Sequence, residues 1–225
     1  SNATYVGGDG LIKDATTNLL TYSEEFDQSG WSPARGSITS TSGNTAPNGT
    51  QTANIFTESI DTGAHYVLQN FSASVGQLFT LSCFFKQKDR QYASLVIANG
   101  TNFPTTVFDL VNGVITDQNN LSATIEPVGN GWYRCSITEQ IIGTGTVRVQ
   151  LGLDEDGDAG SYTGDGTSGI YLWGAQLEQS STVGEYVKTT STKNSAPRFD
   201  HDPETGESLG LLVEESRTNL VTYSE

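Results

Sequence analysis

Hydrophobic and polar positions alternate in short runs along most of the chain, and almost no segment repeats at the helical period. The clearest run is Phe79–Lys86, where Phe79, Leu81, Cys83 and Phe85 alternate with Thr80, Ser82, Phe84 and Lys86. Alternation places the first set on one face, which predicts a half-buried strand. The same reading predicts strands at Asn18–Tyr22, Thr52–Thr57, His65–Phe71, Tyr92–Ala98, Thr105–Asp109 and Val114–Thr116. It continues through Ser122–Val128, Trp132–Gln140, Thr146–Leu153, Gly169–Glu178 and Glu185–Thr189. Asn112-Gly113 and Gly129-Asn130-Gly131 are hairpin turns, because both offer residues that accept positive φ. Glu24–Trp31 leads into a Ser/Thr/Gly/Asn-rich loop that runs through Gly49. A series of short strands punctuated by turns predicts an all-β chain, a jelly-roll β-sandwich of two antiparallel sheets.

The ends read differently. Thr4–Val6 and Leu11–Lys13 flank Gly7-Gly8-Asp9-Gly10, a small hairpin. Near the other end, Arg198–His201 and Leu209–Glu214 flank Asp202-Pro203-Glu204-Thr205-Gly206, a strong turn signal. Residues 1–15 are therefore expected to be a cloning remnant (Ser1-Asn2-Ala3) and a connector hairpin, and residues 16–190 the sandwich. Residues 191–225 are a polar linker, a second connector hairpin and the start of a next repeat. The repeat is visible in the text of the chain. Thr17-Asn18-Leu19-Leu20-Thr21-Tyr22-Ser23-Glu24 returns as Thr218-Asn219-Leu220-Val221-Thr222-Tyr223-Ser224-Glu225, with Leu20 replaced by Val221. Two copies of a sandwich-opening phrase predict a tandem, modular protein of which this chain is a part.

Charge narrows the partners. With 11 Lys plus Arg against 26 Asp plus Glu, the net charge is −15 across 225 residues. Such a surface repels phosphate backbones and anionic membranes, so neither nucleic acid nor membrane insertion is expected. Neutral polymers and divalent cations are compatible with it. The two cysteines, Cys83 and Cys135, both fall inside predicted strands and read as buried free thiols. A disulfide would need their strands to be adjacent.

Three kinds of chemistry have candidates. Asp154-Glu155-Asp156-Gly157-Asp158 carries carboxylates at alternate positions, as a loop wrapping a hard cation would. Asp165 falls at the twelfth position of such a loop, but Ala159 occupies the sixth, where a calcium loop has glycine. Calcium and a merely solvated acidic loop both remain open. Sugar binding needs exposed aromatic faces with polar groups beside them. Of the aromatic residues, Trp31 is expected to plug one end of the sandwich. Trp173 is expected in the core, on one strand face with Tyr171, Ala175 and Leu177. Tyr92, Phe103, Trp132 and Tyr133 are the candidates for an exposed platform, with Trp132 and Tyr133 on opposite faces of their strand. Catalysis has little support: His65 and His201 lie near no nucleophile motif.

Several phrases resemble domains of tailed-bacteriophage virion proteins, chiefly tail fibres and other appendages. They are the Asn18–Phe26 opening, Gly129–Cys135, Tyr162–Glu178, and Pro197–Glu207 with Gly210–Leu220. The main body also resembles, more distantly, jelly-roll carbohydrate-binding modules. Those open with Asn18-Leu19-Leu20, Phe26-Asp27 and Trp31 as they stand here, and close on a strand ending in Leu177-Glu178. The resemblance implies a non-catalytic module of a virion, contacting bacterial surface polysaccharide, with neighbouring modules or a homo-oligomer as further partners; a purely structural spacer or capsid-decoration domain with no ligand is the alternative, and a polysaccharide depolymerase ranks last. It also implies a structural calcium held by Asp27 and by an acid of the closing strand. There the chain departs from the pattern, since Trp173-Gly174 stands in place of an Asp pair.

Overall fold

The computed structural model describes residues 4–6, 12–14, 17–40, 43–143, 146–192, 194–195, 199–202 and 204–211. In chain order the strands are β1 (Thr4–Val6), β2 (Ile12–Asp14), β3 (Thr17–Asn18), β4 (Ser32–Ala34), β5 (Gly36–Thr39), β6 (Asn54–Glu58) and β7 (Thr62–Gly63). They continue with β8 (His65–Phe71), β9 (Leu78–Gln87), β10 (Tyr92–Asn99), β11 (Thr105–Asp109), β12 (Val114–Gln118), β13 (Ser122–Gly129) and β14 (Trp132–Gln140). The last are β15 (Val147–Asp154), β16 (Tyr162–Thr163), β17 (Gly169–Glu178), β18 (Asn194–Ser195), β19 (Phe199–His201) and β20 (Ser208–Leu211). Among the described residues no helix is long and apolar enough to cross a membrane.

The chain divides into two compact units, Thr17–Asn194 and a smaller one drawn from both ends. The smaller unit contains the antiparallel hairpins β1–β2 and β19–β20. The second hairpin turns on Asp202, whose carboxylate accepts the Glu204 and Thr205 N–H groups at 2.8 Å, with Gly206 at φ 71°. The expected second copy of the opening phrase, residues 218–225, lies outside the described residues.

The larger unit is a jelly-roll β-sandwich. One six-stranded sheet has the order β12-β11-β10-β15-β8-β4 and the other β13-β14-β9-β17-β6-β5. The chain crosses between the sheets at both borders, from β4 directly into β5 and from β12 into β13. Arg35, at φ 50°, makes the first of these crossings. Between the sheets the alternate residues interlock: Phe79, Leu81, Cys83 and Phe85 from β9, Ala93, Leu95 and Ile97 from β10, and Val147, Val149, Leu151 and Leu153 from β15 are all buried. Each of the Val, Leu, Ile and Phe side chains among them gains about 1.5–3 kcal/mol from leaving water. Trp31 plugs one end, its ring 5.0 Å from that of Phe26 and its Nε1 donating to the Tyr22 carbonyl.

Three departures from the predicted strands have physical causes. Asn18–Tyr22 is not a strand beyond Asn18, because Tyr22 adopts φ 53° and turns the chain. Instead the fully buried Asn18 side chain clamps the segment: its Nδ2 donates to the Ala175 and Val187 carbonyls, and its Oδ1 accepts from Leu20 and Leu177. Glu185–Thr189 forms no ladder and is tied instead through Ser23 and Asn18. β4 and β5 lie inside the predicted loop; they are polar border strands, and Pro33 is tolerated because β4 pairs only with β8. The expected common face of Trp173, Ala175 and Leu177 is also corrected. A bulge between Trp173 and Gln176, with Gly174 at φ 63°, shifts the phase. Ala175 and Leu177 join the main core, whereas Trp173 points out of the sandwich into a second cluster.

Candidate functional site

The outer faces of the two sheets are built in opposite ways. On the sheet containing β9, outward residues Phe84, Trp132 and Trp173 form a second apolar cluster with Ala46 and Ala53. Two chain segments cover it. Thr45 and Thr52 accept the indole N–H groups of Trp132 and Trp173. From the other side, Tyr186 packs on Phe84 and Trp173, and Gly184 accepts from Arg134. Thr80 and Gln176 donate to the carbonyls of Ser180 and Glu185. Much of this face is thus covered by its own chain, whereas the Lys86 ammonium and the Tyr171 hydroxyl, beside the Trp132 ring, have no hydrogen-bond partner among the described residues.

The sheet containing β10 leaves several of its outward polar groups unspent. Alternation points Tyr92, Ser94, Val96 and Ala98 of β10 outward, beside Asp154, Gly152, Gln150 and Arg148 of β15. Tyr66, Leu68 and Asn70 of β8 complete the rows. The middle is lined by small residues: a Cβ on Gly152 would stand 2.5 Å from the Ser94 hydroxyl and 2.9 Å from the His65 carbonyl. Longer side chains surround it. Among the described residues the hydroxyls of Tyr66, Tyr92 and Ser94, the Gln150 amide and the Arg148 guanidinium have no hydrogen-bond partner, yet none of them is a sealed, unsatisfied group.

The two ends of this face differ. At one, Tyr92 lies under the acidic loop, its ring 3.0 Å from where a Gly157 Cβ would sit. At the other, the 45 % exposed Phe103 stacks under Arg148, whose guanidinium carbon lies 4.9 Å from the ring centroid. Tyr92 and Ala98 are six residues apart on one strand, so the ends are separated by about 20 Å at the usual rise.

The four aromatic candidates are thus divided. Tyr92 and Phe103 share the open face. Trp132 is corrected: it belongs to the covered sheet and is 2 % exposed, so it offers no stacking platform. Its ring forms part of the wall of a cleft of about 250 Å³ with Lys86, Tyr171 and Asn44. Tyr133 points the other way, as alternation predicts, and packs against the main core and Gly113. Sequence reasoning missed Tyr66, Ser94, Arg148 and Gln150. Their alternate positions on β8, β10 and β15 carry the signal, but strand order alone brings those strands together.

The acidic candidates also separate. Carboxylate oxygens of Asp154, Asp156 and Asp158 lie within 4.8 Å of one another. Asp154 is buried, and burial pushes its carboxyl above the usual range despite N–H groups from Gly157 and Asp156. Asp165 stands apart: its carboxylate caps its own turn, accepting from Thr167 and Ser168. Ser168 above all holds it well below the usual carboxylate range. Asp27 lies beside a different cleft, of about 270 Å³, with Glu24, Glu25 and Asn54. Glu24 there is occupied by Lys188 and Tyr186. The five carboxylates do not form one site.

No protein-family model matches the sequence, and no curated protein matches it. Solved structures do. One is the enzymatically active domain of bacteriophage CBA120 tailspike protein 4, at 13 % identity and TM-score 0.45, covering 72 % of this chain and 21 % of that one. A second is the CBM22-1–GH10 modules of Clostridium thermocellum endo-1,4-β-D-xylanase 10B complexed with xylohexaose, at 11 % identity and TM-score 0.46, covering 84 % and 30 %. A third is TmCBM61 in complex with β-1,4-galactotriose, at 10 % identity and TM-score 0.41, covering 72 % and 99 %. The chain therefore spans less than a third of the first two proteins' length.

Proposed function

We propose that this protein is a non-catalytic glycan-binding module, and that its ligand lies along the outer face of the β10 sheet. One observation carries the reading: unspent hydroxyl, amide and guanidinium groups lie with Tyr66, Tyr92 and Phe103 on one face, while much of the other sheet's face is covered by its own chain. Aromatic rings beside free donors and acceptors are what a sugar ring with its hydroxyls requires. Binding rather than hydrolysis is supported by the two carboxylates directly opposite Tyr92 in the ladders, Asp109 and Asp154, which are engaged in turns. Asp109 accepts from Val111, Asn112 and Gln91, and Asp154 from Asp156 and Gly157.

The setting is a virion appendage of a tailed bacteriophage, and the ligand a bacterial surface polysaccharide; the phrases quoted above support that setting. Contacts on an open face are individually weak and gain strength when modules repeat along a fibre. A screen of the protein against bacterial surface polysaccharides tests this. Reversible binding without shortening of the polymer is expected. Binding to none would leave a spacer role, and polymer cleavage would make the protein an enzyme.

A further inference from the structure

We infer that Arg148, seated on Phe103, is a carboxylate-recognition subsite, so that the glycan taken by the open face carries an acidic sugar such as a uronic acid. The inference rests on the open face being the glycan site. Arg148 is the one basic side chain among the outward strand positions of the β10 sheet. Its guanidinium lies over the Phe103 ring at 4.9 Å. Among the described residues it has neither a hydrogen-bond partner nor an ion-pair partner. The other arginines among the described residues are spent differently: Arg90 on Glu58, Arg134 on Gly184 and Ser82, and Arg35 on the Ala64 carbonyl.

The chemistry favours a carboxylate. A guanidinium is planar, always charged, and presents paired N–H donors that fit the two oxygens of a carboxylate. Stacking on an aromatic ring fixes its plane and leaves the donor edge free. Its neighbours across the ladders are the buried Ala98 and the exposed Asn70, whose amide suits a hydroxyl beside the carboxylate. The chain as a whole, at −15, repels a polyanion. Selection of an acidic sugar therefore depends on this one cation, and its removal is expected to cost more than an ordinary surface charge.

The test compares polygalacturonate with its methyl-esterified form, which keeps the sugar backbone and masks the carboxylates. The full chain is titrated with both, as wild type, Arg148→Gln and Arg148→Lys. The wild type is expected to bind the acid at least about tenfold more tightly than the ester, the range of a charge-assisted two-point contact. Arg148→Gln should bind the two equally, and Arg148→Lys should recover only part of the preference. Inorganic phosphate should compete no better than chloride at equal ionic strength; effective competition would make the subsite a phosphate site and overturn the carboxylate assignment. Equal wild-type affinity for the two polymers, or a preference that survives in Arg148→Gln, also overturns it. Binding of neutral glycans without any binding of polygalacturonate overturns this inference and leaves the glycan-binding reading intact. Failure to bind any polysaccharide ends both.

Discussion

Arg90 grips Glu58 with two N–H groups, Nε at 2.9 Å and Nη2 at 2.6 Å, and the Glu58 side chain is fully buried. The same carboxylate accepts the Tyr162 hydroxyl and the Asp165 N–H, both at 2.7 Å. β6, the β9–β10 turn, β16 and the Asp165 turn are thereby tied at one end of the sandwich. Glu58→Gln removes the charge that compensates Arg90 and is expected to destabilise the fold by about 3 kcal/mol. Urea denaturation measures it; a loss below about 1 kcal/mol would show that the tie is slack.

Two half-buried tyrosines, Tyr162 in this tie and Tyr186 beside Ser23 and Glu24, make stability sensitive to alkali. Burial pushes the hydroxyls of Tyr162 and Tyr186 up, and Glu58 adds to the shift at Tyr162. Both tyrosines stay protonated in the fold after their unfolded counterparts ionise near pH ~10. The folded pKa lies above the unfolded one, so this contribution is whole below about pH 10 and is lost as pH rises beyond it. Tyr186→Phe should flatten that decline in melting temperature. An unchanged slope would remove Tyr186 from the account.

Three carboxylates within 4.8 Å of one another repel unless a cation lies between them. Millimolar calcium is expected to raise the melting temperature, and EDTA to reverse the rise. Asp156→Asn should abolish the response while leaving the metal-free protein at least as stable as the wild type. A melting curve indifferent to calcium and EDTA would settle the loop as solvated acid.

Cys83 and Cys135 are partners across β9 and β14, both fully buried and both free. Burial pushes both thiols up, and a Cys83 thiolate would further disfavour that of Cys135. A thiol reagent at pH 8 should therefore titrate neither cysteine in the native protein and both after denaturation. Rapid native labelling would show that the β9–β14 ladder opens readily.

Much of the sandwich was legible because its central strands alternate: β8, β11, β14 and β17 have the predicted bounds, and β9 extends the predicted run by one residue at each end. Of the border strands, β12 and β13 were legible and β4 and β5 were not. β4 and β5 are short and polar, with one neighbour each, and carry no alternation to read. Trp173 was misassigned because one glycine with positive φ reverses the phase of a strand, and nothing in the local pattern announces it. The candidate site was half legible. Tyr92 and Phe103 stood out as aromatics beside polar loops, but Trp132 gives the same signal and is covered. Only the path of residues 43–53 and 180–189 decides which face is open. Tyr66, Ser94, Arg148 and Gln150 lie on three strands distant in sequence, and the register alone makes them neighbours.

The central claim is that glycan lies across the open face, and Ser94 sits in the middle of it, half-buried with its hydroxyl free. The most direct measurement is calorimetric titration of a polysaccharide found in the screen into the wild type, Ser94→Arg and Ser37→Arg. Ser37 is exposed on β5 of the other sheet and serves as the control. Ser94→Arg should weaken binding at least about tenfold by blocking the floor, a loss of roughly 1.4 kcal/mol or more, with Ser37→Arg matching the wild type. Wild-type affinity in Ser94→Arg, or loss of binding in Ser37→Arg, would contradict the assignment of the ligand to this face.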